Sequence, residues 1–223
     1  MKMPVLKALI CAAILGVGGC AGSQLDPGQY SGFLKDYSRL KPAQSATGFQ
    51  VMRWIDPDVK LSKYNKVYIE PSQLYPKPQP TAVISAQTLQ AITGYYDAAL
   101  QRELGKSLRI VSGPGPDTIL VRPAITAVST STQGLKPYEV VPIALVAAVV
   151  NTAAGGRDQN VEIATEAAFL DADTQKVLAQ VVRTGGGTPL ENDKTQLTLD
   201  AVKPVLDGWA KDLRLSIETL KTR

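Results

Sequence analysis

Histidine is absent from the 223-residue chain. That removes serine–histidine and cysteine–histidine nucleophilic sites and the usual histidine-containing zinc sites. Cysteine is nearly as scarce. The two present, Cys11 and Cys20, both fall within the first twenty residues, so packing rather than disulfides must hold the remainder together. An excess of one charge is missing as well: 24 Lys+Arg stand against 20 Asp+Glu, with no basic cluster of the kind that marks a nucleic-acid footprint. The uncharged stretch Val140–Val150 would measure about 16 Å as a helix, whereas a bilayer core needs about 30 Å. These absences point away from an enzyme and away from any cofactor or metal.

What is present begins with a tripartite N-terminus. Lys2 and Lys7 supply positive charge, Ala8–Val17 is apolar, and Gly18-Gly19-Cys20-Ala21 follows with small side chains. This is the plan of a secretory signal peptide, and its end resembles the bacterial lipobox. The resemblance implies cleavage between Gly19 and Cys20, a diacylglyceryl thioether on Cys20, and acylation of the new terminus (palmitate being a typical chain). Each buried methylene contributes roughly 0.8 kcal/mol, so several acyl chains anchor a protein that one would hold only marginally. Ala21 stands where an aspartate would imply retention in the inner membrane, which implies sorting to the outer membrane of a diderm host. The expected organisation is residues 1–19 as signal peptide, 20–30 as lipidated cysteine and tether, and 31–223 as one domain. Cys11 would be discarded, and losing Lys2 and Lys7 would leave the mature chain close to neutral.

Periodicity then sketches the domain. Phe33, Leu34, Tyr37 and Leu40 have helical spacing, predicting one or two turns closed by Pro42. Val51–Ile55 and Lys66–Glu70 read as strands, and the four prolines between Pro71 and Pro80 as an extended loop. Leu89, Ile92, Tyr96, Leu100 and Leu104 mark one face of a helix over 81–105, weakened by Gly94 and stopped by Gly105. Strands follow at 108–111 and 118–129, where Pro123 predicts an edge position or a bulge. Val140–Val150 reads as a buried helix or as a partner-docking or membrane-touching segment, because a solvent-facing apolar patch marks an interaction site. A mobile loop is expected at 151–160. Val161–Leu170 and Val177–Arg183 predict a hairpin with its turn at Asp171–Lys176, ended by Gly185–Gly187. The last helix, from about Asp200 to Leu220, carries Val202, Leu206, Trp209, Leu213, Ile217 and Leu220 on one stripe. The expected fold is α+β, a compact sandwich with helices on one face of a mainly antiparallel sheet.

Four stretches carry a family likeness: Ser31–Leu40 shortly after the lipobox, Tyr64–Pro71, Gly113–Thr126, and Val161–Arg183 with its Asp-Ala-Asp-Thr turn. Together they resemble the bacterial lipoproteins carrying domain of unknown function 3313. The likeness covers most of the mature chain and implies a lipid-anchored envelope protein, with no activity attached. The strand–helix–strand start and late hairpin also look like accessory domains of secretion and transport auxiliary lipoproteins, a fold-level analogy.

Candidate chemistry is thin. Glu162 and Glu166, four residues apart on a strand, would be about 13 Å apart, beyond the roughly 5–9.5 Å of paired glycosidase carboxylates, so they read as a solvated strand face. Asp171 and Asp173 lack the further ligands and turn glycine of a calcium loop. Gly113-Pro-Gly-Pro and Gly185-Gly-Gly do not lead from strand to helix with a phosphate-loop lysine and read as backbone punctuation. Ser62-Lys63 has no supporting context as a catalytic pair. Arg122 is expected to lie along the sheet or pair with an acid across it. The reading is therefore a non-enzymatic, lipid-anchored periplasmic module that binds an envelope protein, with Val140, Ile143, Leu145, Val146 and Val149 as the partner-binding set. The alternative is an auxiliary protein that binds or transports a small apolar or lipid ligand in a cavity between sheet and helices.

Overall fold

The computed structural model describes residues 30–132 and 158–222. The element order is β1 (Lys41–Gln44), β2 (Gln50–Ile55), β3 (Lys66–Ile69), β4 (Gln73–Leu74), α1 (Ala86–Leu104), β5 (Arg109–Ile110), β6 (Thr118–Thr132), β7 (Gln159–Asp171), β8 (Val177–Gly186) and α2 (Lys203–Lys221). One mixed sheet runs β1-β2-β8-β7-β6-β3-β5, with β4 also on β6. The long strands pair antiparallel, while β3, β4 and β5 join in parallel. The expected α+β architecture is correct.

Both helices pack on one face. The stripe Leu89, Ile92, Tyr96, Leu100 and Leu104 is buried, as are Leu206, Trp209 and Ile217 of α2, against Val67, Ile119, Val121, Ile163, Phe169 and Val181 of the sheet. Ser85 caps α1, its hydroxyl accepting from Thr88 N at 3.0 Å, which satisfies one of the free amides of the first turn. Pro204 sits in the first turn of α2, where its missing N–H costs nothing. Polar bonds join the helices: Tyr95 donates to Asp207 at 2.8 Å and Arg214 to Glu103 at 3.1 Å.

Three local expectations need correction. First, residues 31–40 form turns rather than helix, with Gly32 at φ 91° and Lys35 at φ 64°, and Pro42 lies inside β1. Positive φ cannot continue a right-handed helix, so the spacing of Phe33, Leu34, Tyr37 and Leu40 serves a different surface. Second, Pro123 is neither on an edge strand nor at the bulge, because β6 is internal and its register shifts between Ile125 and Ala127. Glu70 N donates to Val121 O at 2.9 Å and Tyr75 N to Ile125 O at 3.0 Å. By strand alternation the Pro123 nitrogen faces the same side, at the gap where the chain passes from β3 to β4. Third, Gln159 and Asn160, expected within a loop over 151–160, belong to β7; residues 151–157 lie outside the described residues.

The glycines at 185–187 do more than end a strand. Gly185 is within β8, paired with Ile163, and a Cβ there would lie 2.9 Å from Val205 Cγ1 and 3.0 Å from Trp209 Cζ2. At Gly187 it would meet Ala201 O at 2.6 Å. Helix and strand approach here more closely than any side chain permits.

Candidate functional site: the tether junction

The opposite face of the sheet is covered by the segment Tyr30–Leu40, here called the strap. Leu34 and Leu40 bury against Val182 of β8, with Met52 and Trp54 of β2 and Ala168 of β7 beside them. Strand alternation explains the arrangement: Val181 and Ala167 face the helices while Val182 and Ala168 face the strap. Arg39 lays its guanidinium 3.8 Å from the centre of a Trp54 ring, a favourable cation–π geometry.

Polar contacts fix the strap in register. Glu166 of β7 is 1% exposed, not part of a solvated strand face as its sequence position implied; Glu162 is exposed. Glu166 Oε1 accepts from Ser31 N at 2.9 Å and Oε2 from the Tyr37 hydroxyl at 2.7 Å. The same hydroxyl oxygen accepts from Gly32 N at 2.8 Å and Leu34 N at 3.2 Å. Tyr37 thus links the strap's own backbone to the sheet. Burial, and then the bond to Glu166, push its hydroxyl up to about 12, so it remains a donor at any physiological pH. Tyr30 stacks on Tyr37 at 4.3 Å, and Phe33 meets Tyr75 edge-on at 5.6 Å.

Other buried polar groups are committed within the fold. Arg183 and Asp212, 7% and 1% exposed, form an ion pair at 2.5 Å under α2. Asp212 Oδ1 also accepts from Thr47 N at 2.9 Å and Thr47 Oγ1 at 2.8 Å. Burial alone would raise its carboxyl, but Arg183 and the hydroxyls of Ser45 and Thr47 outweigh that and hold it below the ordinary range. Asp171 organises the β7–β8 turn, with Oδ1 accepting from Asp173 N and Thr174 N, and Oδ2 from the buried Tyr64 hydroxyl at 2.7 Å. The Thr174 amide bond is the largest influence holding its carboxyl well below the usual range. Lys63 pairs with Asp171 at 3.3 Å, and Arg122 pairs with Glu70 at 3.0 Å, the partner expected across the sheet. Among the described residues no three His, Cys, Asp or Glu side chains assemble as a metal site.

A cleft between the sheet and the C-terminal half of α2 is lined by Ile55, Leu61, Phe169, Leu178, Ile217 and Leu220 among others, with about 60 Å³ of free space. Pockets for small organic ligands run to about 300–1,000 Å³.

The residues singled out for processing and anchoring, Gly19, Cys20 and Ala21, lie outside the described residues, as do Val140, Ile143, Leu145, Val146 and Val149. The junction of Ser31, Tyr37 and Glu166 was not foreseen. Its one signal in the sequence is the Ser31–Leu40 stretch itself, through its apolar spacing and its family likeness.

A mixed sheet with two helices on one face and an N-terminal strap on the other defines an α+β fold. The family model described as a protein of unknown function, DUF3313, matches residues 29–213, and the chain belongs to that family. It is 38% identical over 206 residues to the uncharacterized lipoprotein YdcL of Escherichia coli strain K12, covering 92% of this chain and 93% of that one. Among solved structures it is similar to the PelC dodecamer from Paraburkholderia phytofirmans, at 8% identity and TM-score 0.37 over 73% of this chain and 96% of that chain. It is also similar to protein XCC0632 of Xanthomonas campestris, at 13% identity and TM-score 0.39 over 75% and 91%.

Proposed function

We propose that this chain is a non-enzymatic cell-envelope lipoprotein, held by acyl chains on Cys20 at the periplasmic side of the outer membrane, and that it acts by binding a protein partner. The observation that carries the reading is the tether junction. Residues 30–40 are packed and hydrogen-bonded across the sheet, so the chain leading from Cys20 reaches the domain at a fixed place. The lipoprotein name of the 38% identical relative supports the anchor, and no helix among the described residues is long and apolar enough to cross a membrane. Buried carboxylates at 166, 171 and 212 are each occupied by structural donors, which supports binding over catalysis. The cleft beside α2, with about 60 Å³ of free space, favours this reading over a carried apolar ligand, and the segment with Val140, Ile143, Leu145, Val146 and Val149 is the proposed partner contact.

Two measurements test this. Intact mass of native protein is expected to show a chain starting at Cys20 with acyl mass added, and replacing residues 1–20 by an ordinary cleavable secretory signal peptide is expected to move it to the soluble envelope fraction. A precursor starting at Met1 with an unmodified thiol would overturn the anchor. A photocrosslinker at Val146 is expected to give one discrete envelope-protein adduct, absent when the same probe is placed at Lys211. No such adduct would overturn the partner reading.

A further inference from the structure

Resting on the lipid-anchor reading, we propose that the strap face is the side of the domain that lies on the bilayer, its partner being a lipid surface with net negative charge. Four observations converge on that side. The tether joins the fold here: residue 29 leads directly into Tyr30, which stacks on Tyr37. Ten residues from Cys20 to Gln29 span at most about 35 Å fully extended, and as a flexible coil closer to 17 Å. A globular domain of this size is on the order of 40 Å across, so the tether holds its own attachment side, not the far side, near the membrane.

The second observation is an aromatic cluster at the attachment point. Tyr30 and Tyr37 stack, Tyr37 accepts from Gly32 N, and Phe33 and Gly32 both lie against Tyr75. Tyr75 is 36% exposed, and Tyr30 and Phe33 are half-buried. Rings with an apolar body and a polar tip favour the headgroup boundary, where one end is dry and the other wet.

Third, exposed lysines flank the cluster: Lys35, whose amide donates to Gly32 O, and Lys77, two residues beyond Tyr75. The exposed acid within the strap, Asp36, has its side chain bonded by Ser38 N and lies 3.9 Å from Arg39. Lysine stems lie along apolar surface with their ammonium groups at phosphates, and an anionic leaflet attracts them. Fourth, both helices occupy the other face, so this orientation directs α1 and α2 away from the membrane.

The test uses the full acylated protein in vesicles of phosphatidylethanolamine and phosphatidylglycerol. With Cys20 consumed by lipid, an introduced cysteine is the labelling site. Nitroxide labels are placed by Gln73→Cys, on exposed β4 two residues before Tyr75, and by Lys211→Cys on the exposed side of α2. Collision with a water-soluble nickel chelate is expected to fall several-fold at 73 on reconstitution, relative to a soluble form in which an ordinary cleavable signal peptide replaces residues 1–20 and with them both native cysteines, and to stay unchanged at 211. Lys35→Glu with Lys77→Glu is expected to restore access at 73 while the protein still floats with the vesicles. Flotation with equal access at both labels would overturn the orientation and leave the anchor standing. Failure to float would overturn both.

Discussion

The Tyr37 hydroxyl donates to Glu166 Oε2 at 2.7 Å across 129 residues of sequence, and the same oxygen collects two strap amides. Tyr37→Phe therefore strands three groups at once. Hydrogen bonds to charged groups are worth about 1.5–3 kcal/mol, and a loss in that range is expected in urea denaturation. Amide exchange at Gly32 and Leu34 should accelerate more than exchange in α1. Unchanged exchange there would mean the strap is held by its apolar contacts alone.

Arg183 and Asp212 form a buried pair, and removing one member of such a pair leaves an uncompensated charge. Arg183→Met is expected to destabilise by about 3–5 kcal/mol. Adding Asp212→Leu should recover much of that loss, though not all, because Thr47 would then lack its acceptor. Denaturation of the two single variants and the double variant measures the coupling.

Two glycines should respond oppositely to alanine. Nothing lies within 4 Å of a Cβ built at Gly94 in α1, so Gly94→Ala is expected to stabilise by about 1 kcal/mol. At Gly185 the Cβ meets Val205 and Trp209 at 3.0 Å or less, and overpacking of this kind costs about 1–3 kcal/mol. Thermal midpoints of both variants should move in opposite directions.

Stability should fall at both ends of the pH range, for different groups. Asp171 and Asp212 are held below the usual carboxylate range in the fold, while in the unfolded chain they titrate near 3.9. Their contribution is complete above about pH 4; below it the unfolded state binds protons that the folded state does not, and stability is lost. Tyr37 is raised to about 12, so its contribution is complete below about pH 10 and lost between pH 10 and 12. Urea midpoints against pH should show both limbs, and Tyr37→Phe should make the alkaline one shallower, the remainder coming from Tyr64, whose hydroxyl is likewise raised by burial and by Asp171.

Much of the fold was legible because it follows local period. The stripes of α1 and α2 and the alternation of β7 and β8 lie where apolar spacing placed them. The strap is not legible in the sequence, because Phe33, Leu34, Tyr37 and Leu40 can cover a sheet as readily as they can line a helix, and only the positive φ at Gly32 and Lys35 separates the two. The burial of Glu166 is hidden for a different reason: alternation assigns a face without showing what covers it. Asp212 carried no local sign of burial, since its partners Arg183 and Thr47 come from β8 and the β1–β2 loop. Strand β1, Lys-Pro-Ala-Gln, has little strand propensity and exists as the hairpin partner of β2.

The contacts that seat residues 30–40 draw on residues as late as 166, 180 and 182. The first part of the domain to be synthesised is thus among the last able to settle, since such distant closures must wait for both partners. A chain ending before β7 would carry its leading segment with no acceptor at 166 and no apolar seat at 182. Docking of that segment is accordingly a record that the sheet behind it has been completed.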